Sequence, residues 1–135
     1  MKFRVFTDGW SRWNPGISGC WIFITSQDWA VLEKRYKSIG IATNNVAEYT
    51  AALLWIQRAI ELWAKSIELL ADSQLVIEQL KGNYKVKNTE LKKIHSEIQS
   101  IISNWKGEIV FIHIPREQNK EADRLSNVAM DNNNP

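Results

Sequence analysis

Residues 66–82 read Ser66-Ile67-Glu68-Leu69-Leu70-Ala71-Asp72-Ser73-Gln74-Leu75-Val76-Ile77-Glu78-Gln79-Leu80-Lys81-Gly82. Ser66–Ala71 is a short apolar run of the kind that forms a buried strand, and it stops at Asp72. Ser73 is a helix N-cap, Gln74–Leu80 continues at helical period, and Gly82 closes the helix. A buried strand breaking through an aspartate into a helix is the signature of an α/β sheet. In such sheets ligands bind at the carboxyl ends of the strands.

Upstream the pattern is different. Lys2–Asp8 alternates Phe3, Val5 and Thr7 against Arg4 and Phe6, Cys20–Ser26 is a β-branched and aromatic run, and Trp29–Ile39 is a more polar alternation suited to an edge strand. Asn14-Pro15-Gly16 and Ser26-Gln27-Asp28 supply turns between them, so the first third reads as an antiparallel meander. From Asn44 to about Lys65 apolar residues recur at helical spacing: Val46, Tyr49, Leu53, Ile56, Ile60 and Trp63. Downstream, Asn88 or Thr89 starts a helix ending before Gly107, Glu108–Ile114 is a fifth strand stopped by Pro115, and a last helix runs from about Asn119 to Met130. The expected fold is α/β: a mixed five-stranded sheet, three antiparallel strands then two parallel, with helices on both faces. Residues 1–130 form one domain and 131–135 a fraying tail.

Composition narrows the class. The 135 residues are 44% hydrophobic and 24% charged, with Lys+Arg 17 against Asp+Glu 15, which suits one globular domain and excludes a polycation. The single cysteine, Cys20, excludes an internal disulfide and a multi-cysteine zinc site, and favours a reducing, cytoplasmic setting. No apolar run approaches the roughly 18 residues of a membrane span. With Met1 directly before the first strand and an Asn-rich tail, the chain reads as a free-standing protein.

Four acids sit in awkward places. Asp8 ends the first strand before Gly9, which allows close backbone approach, and Asp72 ends the fourth. If those strands are parallel neighbours, both aspartates share one sheet edge. Glu48 lies on the helix side that carries Ala51, Ala52, Trp55 and Ala59, where an unpaired carboxylate is costly. Asp123 sits similarly in the last helix. Each has an ordinary reading too: Asp72 as a helix-start acid, Asp8 as a turn residue, Glu48 as a partner of the helix dipole. Brought together, however, four carboxylates need positive charge, and all-oxygen ligands suit Mg²⁺ or Mn²⁺ rather than zinc. An acidic cluster of that kind suggests metal-assisted phosphoryl transfer.

The motifs appear in order: Phe6-Thr7-Asp8-Gly9, Asn14-Pro15-Gly16, Thr43-Asn44-Asn45-Val46-Ala47-Glu48-Tyr49, Ala71-Asp72-Ser73-Gln74 and Pro115-Arg116-Glu117-Gln118-Asn119-Lys120-Glu121-Ala122-Asp123. Over nearly its whole length the sequence resembles the type 1 ribonucleases H, which implies that the α/β sheet is of the ribonuclease H-like fold. The resemblance implies an endonuclease that cuts the RNA strand of an RNA–DNA hybrid, leaving 5′-phosphate and 3′-hydroxyl ends. Carried over by position, Asp8, Glu48, Asp72 and Asp123 would hold two Mg²⁺ ions, which Mn²⁺ can replace, with Asp8 bridging them. Asn14, Thr43, Asn44, Asn45 and Gln74 would contact the substrate. The implied protein is a monomer with no obligate protein partner and no membrane association.

One departure concerns the catalytic loop. Well-known members place a histidine about ten residues before the last aspartate; here that position is His113, inside the strand pattern Ile109-x-Phe111-x-His113. The loop itself offers Arg116, as in archaeal and some bacterial members, and Arg116 is the expected residue near the scissile phosphate. A guanidinium stays protonated and cannot act as a titrating acid or base. His95 reads as a surface residue. The family's basic protrusion does not fit in this chain. Lys81, Lys85, Lys87, Lys92 and Lys93 around Tyr84 are either its substitute or a solvated helix approach. A catalytically inactive hybrid-binding module, or a domain of a reverse transcriptase, are the rival readings of the same motifs.

Overall fold

The computed structural model describes residues 1–11, 14–120 and 124. Its elements are β1 (Lys2–Ser11), β2 (Gly16–Ser26), β3 (Val31–Ala42), α1 (Asn44–Glu61), β4 (Ser66–Ala71), α2 (Gln74–Lys81), α3 (Thr89–Trp105) and β5 (Glu108–His113). Residues 116–120 are also helical. Residue 124 is helical too, while the rest of the expected last helix, Asp123 included, and the tail 131–135 lie outside the described residues.

The sheet order is β3-β2-β1-β4-β5. β1 pairs antiparallel with β2 and β2 with β3, while β1–β4 and β4–β5 are parallel. This is the expected fold class. Strand alternation divides the apolar residues between the two faces of the sheet. Phe3 and Val5 join Ile22, Ile24, Ile67 and Leu69 in a core closed by α1, α2 and α3. Phe6 faces the other way, with Trp21, Phe23 and Ile114. Fully buried side chains such as Ile22, Ile56 and Leu69 each contribute about 1.5–3 kcal/mol through removal from water.

Local chemistry sets the helix starts. Thr43 Oγ1 accepts from Val46 N, Ser73 Oγ from Val76 N and Asn88 Oδ1 from Leu91 N, three N-caps that satisfy otherwise orphaned donors. Gly82, at φ 87°, ends α2 in the left-handed region that glycine adopts without strain.

Three expectations need correction. The long helix stops at Glu61 rather than near Lys65, because the chain must turn back to lay β4 beside β1. Trp63, expected on its apolar face, sits in that turn at φ 67° and 84% exposed, while Ala64 takes the buried place and accepts a hydrogen bond from Trp105 Nε1. Trp29, expected to open β3, has φ 66° and belongs to the preceding turn, where the Arg4 guanidinium lies 4.5 Å from its ring centroid. His95 is half-buried rather than a surface residue. Its Nε2 lies 3.2 Å from Gln79 O, and Gln79 accepts from Tyr49 Oη and donates to Lys85 O, so a polar network joins α1, α2 and α3.

Candidate active site

The β1–β4 register runs from Lys2↔Ser66 to Phe6↔Leu70 and then stops. Two residues further along stand Asp8, still within β1, and Asp72, the residue that follows β4. Asp8 does not end β1, as the sequence pattern suggested: β2 continues to pair with β1 as far as Ser11↔Ser18. Asp8 instead lies where β1 loses its β4 neighbour, which opens the sheet beside it. Asp72 is at the end of β4, before the Ser73 cap of α2.

Glu48 arrives from α1. Gly9 makes this possible: a Cβ there would lie 2.3 Å from Glu48 N and 2.3 Å from the carbonyl carbon of Ala47. No other residue lets the first turn of α1 rest on β1 at this point. Ala51, Ala52, Trp55 and Ala59 on the same helix side are buried, as expected, and Glu48 is carried inward with them.

Ligand oxygens of Asp8, Glu48 and Asp72 all lie within 4.8 Å of one another. Burial, the largest influence, pushes the Glu48 carboxyl from its ordinary 4.5 up to about 7; a hydrogen bond with Ser73 opposes this, Asp8 and Asp72 add to it, and Arg116 draws it back down. Glu48 Oε2 is buried without a hydrogen-bond partner among the described residues. A carboxylate with one buried, unsatisfied oxygen, clustered with two aspartates, fits a divalent cation: the donors are hard oxygens, and a cation relieves both the repulsion and the missing partner.

The carboxylates lie in a groove of about 460 Å³ shared with Trp10, Trp21, Tyr36, Asn44, Arg116, Asn119 and Lys120. Arg116 thus joins the site, whereas His113 is an exposed strand end paired with Ala71 in β5–β4. A second groove is lined by Asn14, Thr43, Asn44 and Asn45 together with Asn88 and Glu90 of the α3 start. Asn44 belongs to both. Its Oδ1 accepts from Ser11 N at 2.7 Å and its backbone N–H donates to Asn14 Oδ1 at 3.0 Å, which ties the β1–β2 turn to the start of α1. Gln74 is exposed at the first position of α2 and lines neither groove. Lys81, Lys85, Lys87, Lys92 and Lys93 are all exposed, as is Tyr84.

Sequence reasoning passed over Asn119. It is 4% exposed, and its Nδ2 donates to Thr7 O at 3.0 Å, clamping the helical turn of Arg116 and Lys120 onto β1 one residue before Asp8. A lone Asn in a polar run gives no hint of burial. Trp21 and Tyr36 were also missed as groove residues, although the hairpin register was the signal that could have found them.

The chain matches the reverse transcriptase-like family over residues 6–129. It is 40% identical over 132 residues to the bifunctional protein Rv2228c of Mycobacterium tuberculosis, covering 97% of this chain but 36% of that protein, so it spans about a third of the length of such curated relatives. The solved ribonuclease H1 of Halobacterium salinarum superposes with a TM-score of 0.86 at 32% identity, covering 98% of this chain and 99% of that one. LC11-RNase H1, solved in complex with an RNA/DNA hybrid, gives a TM-score of 0.82 at 36% identity over 91% of this chain and 92% of that one. No helix among the described residues is long and apolar enough to cross a membrane. The family match, the near-complete overlap with these structures and the carboxylates at the β1–β4 opening agree: the chain belongs to the reverse transcriptase-like family, among its type 1 ribonucleases H.

Proposed function

We propose that the protein hydrolyses the RNA strand of RNA–DNA hybrids with the help of two divalent cations, Mg²⁺ in the first instance, and leaves 5′-phosphate and 3′-hydroxyl ends. The observation that carries this reading is the convergence of Asp8, Glu48 and Asp72 within 4.8 Å at the β1–β4 opening. Solved relatives add support, one of them holding an RNA/DNA hybrid. The catalytic unit is the single domain of residues 1–130, and Asp123 would complete the set of metal-holding carboxylates.

Bound divalent ions supply the charge that makes a water nucleophilic and steadies the leaving oxygen. The chain's own residues do the rest. Asp8 is held on a strand and Glu48 and Asp72 at element ends packed against it, so the ligand oxygens are preorganised before substrate arrives. Arg116 presents a permanent positive charge across the groove from the carboxylates, suited to a phosphate anion and unable to exchange protons. Asn14, Thr43, Asn44 and Asn45 gather amide and hydroxyl groups in the adjoining groove. Such groups address 2′-hydroxyls across a shallow minor groove and do not read a base sequence. Gln74, at the start of α2 beside Asp72, would reach the substrate from the opposite side of the acids.

Analysis of the product ends tests this. The 3′-side fragment should be ligatable without prior phosphorylation and the 5′-side fragment should carry a free 3′-hydroxyl. A 2′,3′-cyclic phosphate would overturn the reading, because it arises when the ribose hydroxyl, not water, attacks phosphorus.

A further inference from the structure

The sheet row that carries Asp8 continues beyond it. Asp8 pairs with Trp21 across the β1–β2 ladder, and Trp21 with Tyr36 across β2–β3. Directly paired residues project on the same face, so the three side chains stand in line from β1 to the sheet edge, spanning two strand spacings or about 10 Å. Two residues along β1, Trp10 projects on that face opposite Gly19. Its ring covers the glycine, since a Cβ at Gly19 would lie 2.7 Å from Trp10 Cζ2. All three aromatics line the carboxylate groove.

These rings differ in how much they show. Trp21 is buried and forms the floor, whereas Trp10 is 47% and Tyr36 63% exposed. The Lys34 ammonium sits 5.1 Å from the Tyr36 centroid and 5.8 Å from the Trp21 centroid. Exposed aromatic faces with a cation beside them are what unpaired nucleic acid needs: rings to stack on and a charge for its phosphates. A base-paired hybrid cannot use such a surface along its length, because its bases stack on one another. Base faces become available only where one strand runs past its partner.

We propose that Trp10 and Tyr36, with Lys34, form a stacking subsite for an unpaired nucleotide of the RNA strand, so that the protein favours hybrids whose RNA extends beyond the DNA. The proposal rests on the ribonuclease H reading for the identity of the strand. It adds a preference that the carboxylates and the amide groove cannot create.

The test is equilibrium binding in EDTA, so that nothing is cut. The probes are end-labelled RNA–DNA hybrids that are blunt or carry a few unpaired RNA nucleotides at the 5′ or the 3′ end. Repulsion from the metal-free carboxylates weakens all of them alike and leaves their ratio intact. Stacking on aromatic side chains is worth about 1–3 kcal/mol per base, so one extended hybrid should bind roughly 5- to 150-fold more tightly than the blunt one. Trp10→Ala and Tyr36→Ala should remove that preference, Trp10→Phe should keep most of it, and Trp63→Ala, an exposed tryptophan outside the groove, should leave it whole. Equal affinity of the native protein for blunt and extended hybrids overturns the subsite, and so does a preference that survives both alanine variants. Cleavage of the blunt hybrid in Mg²⁺, measured in parallel, stands or falls with the ribonuclease H reading alone.

Discussion

Gly9 and Glu48 are in backbone contact: the space a Cβ on Gly9 would occupy lies 2.3 Å from the Glu48 nitrogen. The close approach of β1 and α1 at this one residue is what carries a helix carboxylate to a strand aspartate. Gly9→Ala must push α1 away. Overpacking of this kind costs about 1–3 kcal/mol, and a displacement near 1 Å at a reacting centre can cost on the order of a hundredfold in rate. The variant should therefore remain folded by circular dichroism, melt at a lower temperature and cut a hybrid at least about a hundredfold more slowly. Native-level cleavage would mean that Glu48 placement does not depend on this contact.

Asp8→Asn separates the two consequences of clustering acids. It removes one of the charges that push the Glu48 carboxyl up. Without metal the variant should melt at the same or a higher temperature than the native protein, as repulsion is relieved. Its cleavage should be lost, and so should the rise in melting temperature that Mg²⁺ gives the native protein. An Mg²⁺-dependent rise of native size in the variant would contradict the assignment of Asp8 as a ligand.

Glu48 makes metal-free stability depend on pH in a definite direction. Its folded pKa of about 7 exceeds its ordinary 4.5. Between those values the folded protein keeps a proton that the unfolded chain has released, so stability is full below about 4.5 and is lost as pH rises through 7. The full shift corresponds to about 3 kcal/mol, and partial exposure to the groove makes the real drop smaller. Urea unfolding in EDTA across this range should show a steeper decline for the native protein than for Glu48→Gln, and Mg²⁺ at pH 8 should restore the loss. Parallel curves for the two proteins would refute the placement of a proton on Glu48.

Arg116 and His113 can be ranked directly. Arg116 lines the groove and acts on Glu48 electrostatically, whereas His113 is an exposed strand end. Arg116→Ala should slow turnover by roughly two to three orders of magnitude, the range for removing one group that stabilises developing charge. His113→Ala should change it little. The opposite ranking in steady-state kinetics would move the loop's function to the histidine.

What the sequence disclosed and what it withheld divide along physical lines. Features set by neighbouring residues were legible: the Ser73 cap, the Gly82 stop, the alternation of β1 and the apolar side of α1 that carries Glu48 inward. The parallel β1–β4 pairing entered the sequence reading only as a condition, because β2, β3 and α1 separate the two strands along the chain. Features set by residues far apart in the chain were not. The end of α1 at Glu61 is dictated by where β4 must start, and no glycine or proline marks it, so Trp63 passed for a helix-face residue. Asp8 looked like a strand end because only the β2 register reveals that β1 continues to Ser11. Burial of Asn119 depends on Thr7, 112 residues away. The Asp8–Trp21–Tyr36 row exists only once both hairpins are in register.

The most direct test of the central claim is cleavage of an end-labelled RNA–DNA hybrid by the native protein and by Asp72→Asn, each in Mg²⁺ and in EDTA, beside single-stranded RNA and duplex DNA. The account predicts cutting of the RNA strand, in the hybrid alone, by the native protein in Mg²⁺ alone. Cutting that survives EDTA or the Asp72→Asn change, or a hybrid left intact by the native protein in Mg²⁺, would contradict it.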